Sequence, residues 1–125
     1  MRVKCEWVFS ETEDAEVSNS AWVHRGGDYL VLAIEVERNG RTYYRLRGDD
    51  GFIPILVESS GFSTTSTAIA SSWVALATPD GRLRVGPESW LRDGFWESYF
   101  SEDADSLKSF ERELQILMEN DRMAL

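Results

Sequence analysis

YLVLAIEVERNGRTYYRLR, residues 29–47, carries the reading on which the fold turns. Its first half, residues 29–38, is aliphatic with a period of two. That spacing places Leu30, Leu32, Ile34 and Val36 on one strand face and Tyr29, Val31, Ala33, Glu35 and Glu37 on the other. The even set is the expected core face. The second half, Thr42 to Arg47, returns antiparallel. Loop length decides the register there, because a slip of one residue swaps the faces. A two-residue Asn39-Gly40 turn sets Ile34 opposite Arg45. A three-residue loop, Arg38-Asn39-Gly40 with Gly40 left-handed, instead pairs Ile34 with Tyr44, Leu32 with Leu46 and Glu37 with Arg41, and is preferred because apolar meets apolar and acid meets base.

Working outward, Gly48-Asp49-Asp50-Gly51 is a second turn, and residues 52–57 return as a strand that Pro54 marks as an edge or a bulge site. Residues 59–72 are small and hydroxyl-rich and read as a loop anchored by Phe62 and Ile69. Residues 71–100, SSWVALATPDGRLRVGPESWLRDGFWESYF, hold Trp73, Trp90 and Trp96 with Phe95, Tyr99 and Phe100, aromatic area that calls for burial. Here a three-residue Pro79-Asp80-Gly81 loop pairs Ala77 with Leu83 and Ala75 with Val85. The two alanines leave space that Trp90 and Trp96 are expected to fill. Helical turns follow at residues 86–91 and 95–100. Ser101 is expected to cap a longer helix with Glu102 and Asp103 in its first turn and an apolar stripe of Leu107, Phe110, Leu114, Leu117 and Met118. Toward the N-terminus, residues 3–9 alternate as a strand, residues 10–20 read as an acidic surface loop, and Trp22-Val23-His24 as a short strand.

These elements predict one domain over residues 1–125, of class α+β. Antiparallel strands form a curved sheet or a partly open small barrel, and a C-terminal amphipathic helix packs on it. The expected core is Trp7, Leu30, Leu32, Ile34, Tyr44, Leu46, Ile55, Trp73, Val85, Trp90, Trp96, Phe110, Leu114 and Leu117. The turn spacing of the strands is similar to that of small barrels of the Src-homology type.

Candidate chemistry is sparse. Cys5 is the lone cysteine and has no disulfide or zinc partner; His24 is the lone histidine. The serines and threonines lack a base to activate them, and there is no G-x-S-x-G elbow, so no enzyme is expected. Glu35 and Glu37 face Arg45 and Arg41 as a charge ladder, and nearby arginines push acid pKa values down, against a glycosidase-like pair. Asp49 and Asp50 lack the further oxygen ligands of a calcium loop. No cofactor and no metal are expected. Arg41, Arg45, Arg47, Arg82 and Arg84 form an anion-binding patch only if the two hairpins are neighbours.

The net charge of −9 is unevenly spread. Residues 1–24 carry two bases against five acids, residues 25–85 balance, and residues 86–125 hold the remaining excess of acid. Such a surface repels nucleic acid and anionic membranes and favours a basic partner. No apolar run is long enough to span a bilayer, and a cytoplasmic location is expected.

From residues 42–56 through residues 71–100 and into the helix, the ordering is similar to that of small acidic bacterial proteins of the toxin-immunity type. That grouping has no shared motif. The resemblance implies a non-enzymatic interaction protein that neutralises a toxin by direct binding and carries over no residue. The charge split is what singles out Glu11, Glu13, Asp14 and Glu16, with Glu102, Asp103 and Asp105, as the expected partner-binding residues. The alternative is a small-molecule or peptide-binding module with a concave site around Tyr43, Phe62, Thr64 and Thr65. A homodimer without separate activity is a third.

Overall fold

In the computed structural model, which describes residues 1–10, 15–17 and 22–124, the chain is α+β. Nine strands lie among the described residues: β1 (Arg2–Cys5), β2 (Val8–Ser10), β3 (Ala15–Val17), β4 (Asp28–Val36), β5 (Thr42–Arg47), β6 (Pro54–Glu58), β7 (Phe62–Ser66), β8 (Trp73–Ala77) and β9 (Leu83–Pro87). Two helices follow, α1 (Phe95–Phe100) and α2 (Ala104–Ala124), and single 3-10 turns occupy Ser59–Gly61 and Glu88–Leu91. Seven strands make one antiparallel sheet that does not close, in the order β6-β5-β4-β1-β7, with β9 paired to β4 and β8 to β9. β2 and β3 pair separately as a short arm.

β4 is the axis. One edge pairs with β5 along most of its length. The other edge is shared: Asp28–Leu30 pair with β1 and Ile34–Val36 with β9. Gly40 is left-handed, with φ +87, and its N–H donates to Glu37 O, so the loop has three residues and Ile34 faces Tyr44 as the pattern demands. Leu32, however, does not face Leu46. The ladder slips between Val31 and Ala33, so that Val31 takes Leu46 and Ala33 takes Arg45.

That bulge reverses the alternation of side chains. Tyr29 and Val31 before it and Ile34 after it pack with Val3, Cys5, Val23 and Leu46 in one core. Leu30 and Leu32 face a second core made by Trp90, Phe95, Phe110, Leu114 and Leu117. The single core face expected for β4 is thereby corrected: a strand buried on both faces is covered by sheet on one side and by helices on the other. Trp90 stacks on Phe110 with ring centroids 5.0 Å apart, and Trp96 meets Phe110 edge-on at 6.0 Å. Burying each of these side chains contributes on the order of 1.5–3 kcal/mol.

Other expectations change for identifiable reasons. Residues 3–9 break into β1 and β2, because Glu6 and Trp7 donate their N–H groups to Gly61 O and leave the ladder. Residues 15–17 of the expected acidic loop are a strand, and residues 62–66 of the expected hydroxyl-rich loop are β7, an outer strand against β1. Ile69 is no anchor; it is 64% exposed. The cap of α2 is Asp103, not Ser101: its carboxylate accepts from the N–H and hydroxyl of Ser106, while Leu107 N–H donates to Asp103 O. Leu107 and Met118 of the apolar stripe lie exposed beside the buried Phe110, Leu114 and Leu117. The alanine face of β8 is not filled by tryptophan; Ala75 and Ala77 are exposed, and Trp90 and Trp96 pack against β4 instead.

Candidate functional site

Of the acidic residues expected to meet a partner, Glu11, Glu13 and Asp14 lie outside the described residues, and of Glu16 the structure describes only its backbone in β3. Glu102, Asp103 and Asp105 are exposed at the junction of α1 and α2. Asp103 is occupied as the helix cap, and Glu102 sits in the left-handed region at φ 63. No described element brings the two acidic groups into one site.

β9 places the hairpins side by side, and of the five expected arginines Arg45, Arg82 and Arg84 line one cleft of about 450 Å³ together with Arg92, while Arg41 and Arg47 do not. Glu35, Glu37, Asp93 and Glu97 line the same cleft and balance the charge. Arg84 donates at 2.8 Å to Leu91 O and to Asp93, and Arg82 pairs with Asp80 at 2.9 Å. Arg45 is buried beneath Trp96, its guanidinium carbon 4.2 Å from the ring centroid, with Glu35 at 4.0 Å. Burial pulls its pKa below the usual arginine value, against the opposing pull of Glu35 and Glu97. The Arg45 and Arg84 contacts tie α1 and the turn before it to the sheet, whereas the Arg82 pair lies within the β8–β9 loop.

His24 has partners that the sequence did not reveal. Its Nδ1 lies 3.0 Å from Asp49, and Tyr29 donates its hydroxyl to the same carboxylate at 2.8 Å while accepting the His24 N–H. Burial pushes the Tyr29 phenol up to about 12. Cys5 is buried in the first core, and burial raises its thiol pKa, which suits a packing residue. Among the described residues no group of three or more His, Cys, Asp or Glu side chains is placed to hold a metal ion.

One concave feature lies at the open edge of the sheet. A cleft of about 580 Å³ is lined by Ile55, Leu56, Val57 and Glu58 of β6, with Trp7 and Trp22 among the residues that complete it. Successive residues of a strand point to opposite faces, so four in a row lining one cleft place it along the strand's edge. Among the described residues β6 is the last strand of the sheet and pairs only with β5, so its other edge is free of any described strand. Tyr43, Phe62 and Arg41 also line the cleft, whereas Thr64 and Thr65 do not. Leu56 is 41% exposed and Trp22 44%.

Two glycines hold the tryptophans in place, one on each side of β6. A Cβ on Gly48 would lie 2.8 Å from Trp22 O, the carbonyl that accepts Asp49 N–H. A Cβ on Gly61 would lie 2.6 Å from Trp7 O, and the Gly61 carbonyl accepts Trp7 N–H. Backbone therefore meets backbone at both ends of the strand. The sequence signalled the edge through Pro54 and the aromatics through Tyr43 and Phe62. It gave no sign that Gly48 and Gly61 seat Trp22 and Trp7, because those contacts join residues far apart in the chain.

Compared with protein-family models, with curated proteins and with solved structures, the chain matches none. Among the described residues no helix is long and apolar enough to cross a membrane.

Proposed function

We propose that the protein is a non-enzymatic binding module that takes an extended segment of a basic protein partner into the cleft beside β6. The observation behind this reading is the free strand edge facing two anchored tryptophans. An added strand satisfies edge N–H and C=O groups by main-chain hydrogen bonds, and alternate side chains of the guest enter aromatic pockets. Tryptophans that are partly exposed and rigidly seated are the usual anchors of such contacts. At the cleft Glu58 is offset by Arg41, so the preference for a basic partner rests on the net charge of −9. Neutralisation of a toxin by direct binding is the form of interaction that the immunity-type resemblance implies.

The test is selection of short displayed random peptides on the immobilised full chain. Peptides that alternate apolar residues and carry flanking bases should be enriched. Trp22→Ala should weaken the selected peptides by about tenfold or more while the melting temperature holds. Methylating the peptide's backbone nitrogens at alternate positions should weaken binding on one phase of the alternation only. No enrichment, or full affinity in Trp22→Ala, overturns the reading.

A further inference from the structure

A second groove, of about 640 Å³, lies where α2 crosses β4. Leu30 and Leu32 line it from the strand, Leu114 and Met118 from the helix. All but one of its charged groups are matched within the chain. Arg2 donates to Asp121 through Nε and a terminal nitrogen, at 3.0 Å each, and also pairs with Asp28. Arg122 pairs with Glu119 at 2.7 Å.

Arg47 is the exception. The one described contact of its guanidinium is a terminal nitrogen 3.9 Å from Met118 Sδ, and its Nε–H is buried with no acceptor among the described residues. The buried Nε is closed to the groove, whereas the terminal nitrogens make an exposed contact and bond no acid among the described residues, and the complement of their N–H groups is a carboxylate taken by parallel hydrogen bonds. The carboxylates that line the groove, Glu119 and Asp121, are engaged with Arg122 and Arg2. Three arginines against two acids leave the lining one positive charge in excess, within a protein of net charge −9.

The geometry points to a binding site for a single-chain carboxylate amphiphile, a medium-chain fatty acid. Its head group sits on Arg47, and its acyl chain lies along Leu30, Leu32 and Leu114. The volume falls within the usual range for small-ligand sites, and the pliable Met118 adapts to chains of differing length. The site is separate from the cleft beside β6 and does not depend on it.

Isothermal titration of the full chain with dodecanoate, dodecanol and dodecyltrimethylammonium, each below its aggregation concentration, tests the assignment. Dodecanoate should bind about tenfold more tightly than the alcohol, the worth of one charge-assisted hydrogen bond, and the ammonium least. The Met118 S-methyl resonance should shift on addition of dodecanoate. Arg47→Met, of similar length without the charge, should reduce dodecanoate to the affinity of the alcohol. Arg47→Lys retains the charge without the fork and should lie between them, which keeps the test open if Arg47→Met folds poorly. Trp22→Ala should bind dodecanoate like the wild type. Equal affinity for acid and alcohol, undiminished binding in both Arg47 variants, or no binding of any of the three amphiphiles overturns the proposal.

Discussion

The hairpins β4–β5 and β8–β9 are built alike and end differently. Each has a three-residue loop closed by a left-handed glycine, Gly40 at φ +87 and Gly81 at φ +90, and in each the register inferred from the pattern is found next to the loop. Ile34 faces Tyr44 in the first, Ala77 faces Leu83 in the second. Yet β4 is buried on both faces, whereas Val74 and Leu76 of β8 are 43% and 44% exposed. Turn chemistry acts over a few residues and sets which residues pair. Burial depends on what arrives from elsewhere in the chain. The α1–α2 unit lands on β4, and among the described residues nothing comparable lands on β8.

The most severe way to probe that difference is to remove what covers β4. A chain ended at Phe100 uncovers Leu32 and Trp90, and it should lose cooperative unfolding in a denaturant titration. A melt like that of the full chain would make α2 an appendage. Next in size are truncations of single side chains. Leu32→Ala and Trp90→Ala should each cost about 3–5 kcal/mol by chemical denaturation, and Leu76→Ala in the exposed hairpin under about 1 kcal/mol. Equal costs would mean that β8 is covered in solution.

Gly61→Ala should cost about 1–3 kcal/mol, because its new Cβ meets a carbonyl that belongs to backbone and cannot rotate aside. The same variant should weaken peptides selected for the cleft, since Trp7 must shift. Smaller again are the loop glycines. Gly40→Ala and Gly81→Ala should each cost about 1–2 kcal/mol and should match one another closely, because the strain is local and indifferent to burial. A large gap between them would show that the loops are not equivalent. Unfolding midpoints of the two variants measured side by side decide it.

The last effect is silent at neutral pH. Tyr29 has a folded-state pKa of about 12 against about 10 when unfolded, so folding favours the neutral phenol. Its contribution to stability is fully present below pH 10 and is lost as the pH rises from about 10 through about 12. Melting temperatures across that window should fall, and Tyr29→Phe should flatten part of the fall. An unchanged profile in the variant would assign the loss to other groups.

What the residues determined alone was whatever neighbours in sequence can settle. Asn39-Gly40 and Pro79-Asp80-Gly81 announced their loops, Pro54 its edge strand, and Phe110, Leu114 and Leu117 the inward face of α2. The bulge between Val31 and Ala33 was not legible, because a continuous apolar run reads alike on either face and only the competing partners β1, β5 and β9 reveal the slip. Nor were the cleft or the isolated charge. Trp7 and Trp22 meet β6 through Gly61 and Gly48, and Arg47 shares its groove with Asp121, which is held by Arg2, 119 positions away. Contacts of that kind leave no periodicity in the chain, since each joins segments whose spacing is arbitrary. The tertiary structure decided them by bringing segments that hold no local preference for one another to the same strand.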